Sequence, residues 1–547
     1  MSTKTETPPV PPELLDRPRL AADVSVHEPA EAGAPWLIQQ GQTRYFRVQS
    51  DLARLALALN GTRDHTLLAE ILGPPWTVGA VAEAVEKLAA GKLLDNGEAV
   101  RKSDRRFKLV PPMTLQFTLV RPERMLLRIS PLVRALTGRA GVAAAVVLAL
   151  TGLLVLAGQS ARLGDALGQP LGLGTYLAVF LGILATTAVH EFGHGAVLTH
   201  HGGRPGRMGV MLFYLSPAFF CDVTDGWRLP RRSQRVAVAL AGIVTQVVIA
   251  GGAAVASLFF SGAARDGLLV FAFVTYIAGL LNLMPFVKLD GYIALMSHLD
   301  VPHLRDRALT DARRRVARVL FGSRHERELP ELGRWTVPFG LASMAFPLYM
   351  IATAVGLWGD TLQRIGVVGA TLMLCGVGYL GYHLVRGFVR VAREARAGGA
   401  GAIRIGAVAV LLTAALTTVL ALVEVPYTVS AGYTVRDGGR AELLLPPSAD
   451  RSVIKEGVTV RLYQVGVATK SETGHGVIAD DRATATTAPL SAFLPVRADM
   501  LPTPADGYPL RLAKTPEDDL GGAVVDAGRM PAGQWIFTKY VLPAFRW

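Results

Sequence analysis

The chain has 547 residues, of which 51% are apolar and only 18% charged. Its mean hydropathy of +0.35 excludes an ordinary soluble enzyme, since soluble domains carry about 25% charged residues. The net charge of +13 accompanies long apolar runs, so it reads as orientation and contact with anionic lipid rather than as a footprint for nucleic acid.

Residues 1–30 are rich in Pro, Ala and Glu and are expected to be a disordered lead-in with no secretory apolar segment. From Trp36 the pattern changes. Trp36–Gln40 and Arg44–Val48 suggest two short strands around Gly41, followed by helices near Asp51–Leu59, Thr66–Leu72 and Val78–Ala90. Asn60-Gly61 and Gly91 supply helix stops, and Lys92–Asp95 gives a closing strand-like run. Residues 31–100 are thus expected to form a small winged-helix-like α+β domain. In Tyr45-Phe46-Arg47-Val48, Leu59-Asn60-Gly61-Thr62 and Leu88–Leu94 it resembles the PqqD-like peptide-recognition domain. That resemblance implies capture of a leader peptide by strand addition to a sheet edge.

Residues 101–425 form the expected membrane domain of about seven spans. They lie near Gly141–Gly158, Leu173–Leu198, Val236–Phe260, Leu268–Pro285, Val337–Leu357, Val367–Val385 and Ile405–Val423. Arginines crowd alternate connections: 121–139, 204–235, 305–318 and 386–404. The intervening loops, 263–267 and 359–364, are short and nearly neutral. Positive charge stays inside, so the N-terminus is expected in the cytoplasm and the C-terminus outside the cell membrane. Cys221 falls in a cytoplasmic loop and Cys375 in a span, which argues for isolated thiols.

From residue 426 to 547 the sequence alternates in short runs such as Gly457–Tyr463, spaced by Gly and Pro, which indicates an exported β-rich domain. Its basic and acidic residues are equal in number. Lys455–Arg461 is similar to the β-barrel region of membrane-fusion adaptor proteins of secretion systems.

The second span contains Ala188-Val189-His190-Glu191-Phe192-Gly193-His194. Histidines four apart share one helix face and can ligate one zinc ion, and Glu191 sits where a general base would reach a metal-activated water. Ionisable groups within a span are costly and point to function. A catalytic zinc needs a third protein ligand. His200, about 240° around the helix from His194, faces away, and His201 lies two turns on, so both read as interfacial. Asp222 and Asp225 follow an apolar stretch, 210–220, that could re-enter the membrane, and are candidates to support the ligands from behind.

The fourth span ends Asn282-Leu-Met-Pro285-Phe-Val-Lys-Leu289-Asp290-Gly291. His-Glu-x-x-His followed by Asn-x-x-Pro and Leu-Asp-Gly resembles the site-2 protease family of intramembrane zinc metalloproteases over roughly residues 120–300. The resemblance implies one zinc ion per chain, held by His190, His194 and Asp290, with Glu191 catalytic. Counting spans puts Asp290 and the histidines in the same half of the membrane, which agrees. The family's Gly-Pro…Asn word stands here as Gly242-Ile243…Gln246, so Gly242 is kept and the other two positions depart. Gly242 and Asn282 are candidates for positioning the substrate, and Asn282 equally for bridging two helices. Together with the N-terminal domain, the pattern is similar to peptide zinc metalloproteases encoded with ribosomally made peptides. The expected partners are a leader-bearing peptide, the bilayer and a peptide exporter. Two other functions fit the same residues: cleavage of a membrane-spanning signalling protein, and a non-enzymatic export or immunity component that keeps a zinc site.

Overall fold

The computed structural model describes residues 15–29, 36–41, 44–95, 107–110, 114–213, 216–364, 367–436, 440–447, 449–467, 469–493, 496–497 and 502–545. The chain divides into two compact units. One comprises Met1–Ala144, Thr186–Thr245 and Ser297–Asp300; the other comprises Ala145–Ala185, Gln246–Met296 and Val301–Trp547.

The first unit begins with strands β1 (Val24–His27), β2 (Trp36–Gln40) and β3 (Arg44–Val48), an antiparallel sheet with β2 central and β3 at an edge. Helices α1 (Ser50–Ala58), α2 (His65–Leu72) and α3 (Val78–Ala90) follow, close to the ranges expected from periodicity. The Asp64 carboxylate caps α2 by accepting from Leu67 N at 2.8 Å, and Thr77 Oγ caps α3 by accepting from Ala80 N at 3.2 Å. Ile38, Leu55, Leu68, Val81, Val85 and Leu88 form the core of this small α+β domain.

One expectation is corrected here. Residues 15–29 are not a disordered lead-in: β1 pairs with β2, Leu20 bridges Leu94, and Leu15, Leu20, Val24 and Val26 pack on the core. Averaged over thirty residues, Pro and Ala hid the Val24/Val26 alternation that buries one face of a strand. The rest of the expected lead-in, 1–14 and 30, lies outside the described residues. The strand-like run at Lys92–Asp95 contributes a single bridge and two core leucines, Leu93 and Leu94.

Next come β4 (Phe107–Val110), β5 (Thr114–Val120) and α4 (Glu123–Thr137). β4 and β5 join β7 (Met208–Phe213) and β8 (Ser216–Cys221) in a four-stranded antiparallel sheet of order β4-β5-β7-β8. The apolar stretch expected to re-enter the membrane is therefore a β-hairpin paired edge-on to β5. At six residues a strand, each arm satisfies its backbone groups through the neighbouring strand.

Helices α5 (Arg139–Gly158), α7 (Leu173–His200) and α8 (Arg232–Ala256) each run from one unit into the other. The second unit also holds α6 (Ser160–Gly168), β6 (Leu171–Gly172), α9 (Gly262–Asn282), most of α10 (Asp290–Leu299), α11 (Leu304–Phe321), α12 (Thr336–Arg364), α13 (Val367–Ala397) and α14 (Ala402–Leu422). Among the described residues, seven helices are long and apolar enough to cross a membrane, as in a multi-pass membrane protein. They overlap the seven apolar runs of the sequence one for one, with N-terminal ends up to seven residues earlier and, in the sixth, a C-terminal extension of twelve residues to Ala397.

β9 (Glu424–Arg436) starts directly after α14, and β10 (Arg440–Leu445), β11 (Thr459–Val465), β12 (Lys470–Ile478), β13 (Thr484–Pro489), β14 (Val496–Arg497), β15 (Pro502–Lys514) and β16 (Leu520–Pro531) follow. The order β10-β9-β16-β11-β12-β15 closes through β15–β10 pairing into a six-stranded barrel, with β13 on the first half of β15. Inward Tyr433, Leu443, Val460, Leu462, Ile478 and Val525 fill it. Closure uses up the strand edges that an open sheet would expose.

Candidate metal centre

α7 is continuous through the His190–His194 segment, so the two imidazoles leave the helix one turn apart on one face. Both side chains are buried, at 4% exposure each. Their Nε2 atoms face each other at 3.1 Å. The Nδ1 of His194 is 2.7 Å from the Val238 carbonyl oxygen of α8. A carbonyl only accepts, so Nδ1 carries the hydrogen and Nε2 of His194 presents a lone pair toward His190.

The carboxylate of Glu191 lies beside them. Ligand atoms of His190, Glu191 and His194 all fall within 4.8 Å of one another, and among the described residues no other group of three or more His, Cys, Asp or Glu is gathered this way. The Cys221 amide, at the end of β8, donates to Glu191 Oε2 at 2.8 Å. The end of the hairpin formed by β7 and β8 thus holds the carboxylate in place. Burial, with the Glu191 and Asp222 charges adding to it, pushes the Cys221 thiol up to about 12, so it stays neutral.

Two glycines bring α7 and α8 together. A Cβ on Gly193 would meet Thr245 Oγ1 at 2.7 Å. A Cβ on Gly242 would lie 2.5 Å from His190 Nε2 and Cε1 and from His194 Nε2. Gly242, read from the sequence as a candidate for positioning substrate, is therefore packed directly on the nitrogen edges of both histidines. No side chain larger than hydrogen fits there.

The donor set suits a divalent metal. Zinc binds imidazole nitrogen at about 2.0–2.1 Å, and two such bonds to one ion at an angle of about 95–110° place the nitrogens roughly 3.0–3.4 Å apart. The observed spacing of 3.1 Å falls in that range. A hydrogen-bonded Nδ1–H behind a ligand nitrogen is also the usual arrangement for metal-binding histidine.

The remaining candidate residues are placed as follows. Asp290 is the first residue of α10, in the other unit. Asn282 is the last residue of α9, and residues 283–289, which include Pro285, separate it from Asp290. Its Nδ2 donates to Gln246 Oε1 of α8 at 3.1 Å, which is a bridge between helices.

Asp222 closes a local turn by accepting from Thr224 N and Oγ1 at 3.2 and 2.6 Å. Asp225, at 8% exposure, accepts from Tyr45 Oη at 2.9 Å and Arg204 N at 2.7 Å, and pairs with Arg228 at 3.1 Å. These contacts tie the N-terminal domain to the loop after β8. His200 ends α7, with His201 following it.

The residues missed by sequence reading are Val238, whose part is played by its carbonyl, and Cys221, whose part is played by its amide. A backbone group leaves no mark on residue type. Comparison with protein-family models, with curated proteins and with solved structures finds no match to this chain.

Proposed function

We propose that this protein is a zinc-dependent intramembrane endopeptidase that removes the leader of a ribosomally made precursor peptide near the cytoplasmic membrane face. The observation that carries the reading is a pair of buried imidazole nitrogens 3.1 Å apart, with the carboxylate of the next residue beside them, on a helix apolar enough to span a membrane. His190 and His194 would hold the ion, and Asp290 would complete the set as the family resemblance implies.

Bound zinc supplies Lewis-acid polarisation of a water and of the scissile carbonyl. Glu191 takes the proton from the attacking water as the new C–O bond forms. It then delivers that proton to the departing amine nitrogen as the C–N bond breaks. The Cys221 amide holds Glu191 in position, and the Val238 carbonyl keeps His194 in the tautomer that presents Nε2. The small N-terminal domain would hold the leader and raise its local concentration at the site.

The test uses the full chain in liposomes with a library of fluorescence-quenched precursor-like peptides, cleavage being located by mass spectrometry. Glu191→Gln is expected to keep one zinc per chain and lose at least 1,000-fold in cleavage rate. A Glu191→Gln protein that cleaves as the parent does would overturn the mechanism. Cleavage confined to membrane-spanning substrates would favour the signalling-protein reading.

A further inference from the structure

Edge strand β3 carries Tyr45 and Arg47 two positions apart, hence on one face. Each reaches a different carboxylate. Tyr45 donates to Asp225 Oδ1 at 2.9 Å, and Arg47 donates through Nη2 to Asp300 Oδ1 at 2.6 Å and through Nη1 to the Asp300 carbonyl at 3.3 Å. The Arg47 guanidinium also lies 5.9 Å from the Trp227 ring centre.

Asp300 is held from the other side as well. Arg235 Nη2 donates to the same Oδ1 at 2.6 Å, and Arg232 lies 3.6 Å from Oδ2. The Arg235 side chain is only 8% exposed and that of Asp300 17%, so this is a largely desolvated cluster rather than a surface pair. Asp300 has φ +59°, a left-handed conformation that a non-glycine residue keeps only where its surroundings hold it.

Arg235 stands on α8 three residues before Val238 and seven before Gly242, so all three share one helix face. Val238 is the residue whose carbonyl orients His194, and Gly242 packs on both Nε2 atoms. The chain of contacts therefore runs from Arg47 through Asp300 and Arg235 to the helix face that lies on the metal histidines. A second chain runs from Tyr45 through Asp225 into the loop that follows β8, whose last residue, Cys221, donates its amide to Glu191.

We propose that Tyr45, Arg47, Asp300 and Arg235 are positioning residues for the metal centre: the docked strand β3 sets the stance of α8 against His190 and His194 and of the Cys221 amide against Glu191. The N-terminal domain then does more than hold a peptide. It completes the geometry of the site, and a chain with β3 undocked binds metal weakly. This inference rests on the metal-site reading above.

The experiment titrates the full detergent-solubilised chain with Co2+ and follows the visible absorption bands, which report ligand geometry without need of a substrate. Arg47→Gln and Asp300→Asn are each expected to weaken Co2+ binding about 10-fold or more and to change the band shape, as loss of outer hydrogen-bond partners does at metal sites. The double variant is expected to lose no more than the worse single one, because both break one contact chain. Arg47→Lys should recover part of the loss. If Asp300→Asn fails to fold, Arg47→Gln, which leaves Arg235 paired, still decides.

Unchanged affinity and spectrum in Arg47→Gln would overturn the proposal while leaving the metal site standing. A parent chain that binds neither Co2+ nor Zn2+ would overturn the metal site itself, and the proposal with it. A lowered melting temperature with an unaltered cobalt spectrum would assign these residues to stability alone, which also overturns it.

Discussion

Gly242→Ala adds one methyl group at the closest approach between α8 and the two histidines. Its Cβ would sit 2.5 Å from three ring atoms of His190 and His194. Ordinary carbon contacts begin near ~3.5 Å, so each of the three contacts is short by roughly 1 Å. The helix backbone cannot retreat without parting the Gly193–Ala241 approach, and His194 cannot swing without losing its bond to the Val238 carbonyl. Overpacking of this kind costs about 1–3 kcal/mol, offset by up to ~1 kcal/mol from the better helix propensity of alanine. The larger consequence falls on the metal. The methyl group displaces the two nitrogens from their common point, and zinc affinity should fall by about 100-fold or more. The matched control is Gly252→Ala on the same helix, where nothing lies within 4 Å of the added Cβ. Zinc content after dialysis, a Co2+ titration and thermal unfolding would be measured on both. The control should bind as the parent does. If Gly242→Ala also binds zinc with parental affinity, the two histidines do not share an ion at this place.

Three other outcomes follow from single contacts. Cys221, its thiol pushed up to about 12 chiefly by burial, should resist iodoacetamide at pH 8 in a Cys375→Ser background and react once the chain is unfolded; rapid labelling of the folded chain would contradict the partly buried position beside Glu191. Asn282→Ala and Gln246→Ala should each cost about 0.6 kcal/mol and together cost no more than either alone, if Asn282 serves as a helix bridge; additive losses, or loss of cleavage with unchanged melting, would return Asn282 to a part in substrate positioning. For Asp300, burial pushes the carboxyl up, but the hydrogen bond and charge of Arg47 and the charges of Arg235 and Arg232 outweigh it and hold the carboxyl below its ordinary value. A depressed carboxylate stabilises the fold above its unfolded value, near pH 4, and loses that contribution as pH falls through the lowered one. The melting difference between parent and Asp300→Asn should therefore stay level from pH 7 to 5 and shrink only below about pH 4, and a difference that vanished by pH 6 would refute the pairing.

Much of this protein was legible along the chain. Seven apolar runs marked the long helices, because a span must be continuous in sequence. The four-residue spacing of His190 and His194 put two nitrogens on one face, because helix geometry is local. Turn residues and alternation marked the helices of the N-terminal domain and the strands of the tail for the same reason. Local reading failed where pairing partners are distant. The apolar run over 210–220 could re-enter a membrane by composition, and only the pairing of β7 with β8 and with β5 makes it part of a sheet. Val24 and Val26 looked like part of a loose lead-in until β2 supplied the ladder.

At the candidate site the division is sharper. Residue types and spacing named His190, Glu191 and His194, and a resemblance in sequence drew attention to Gly242. Tertiary structure decided what surrounds them: a carbonyl behind His194, an amide on Glu191, a glycine against both rings, and Arg47 joined to Asp300 across 253 positions of sequence. Backbone donors and acceptors are the same at every position, and a long-range ion pair leaves no periodicity. Contacts of these two kinds exist only once the chain has folded.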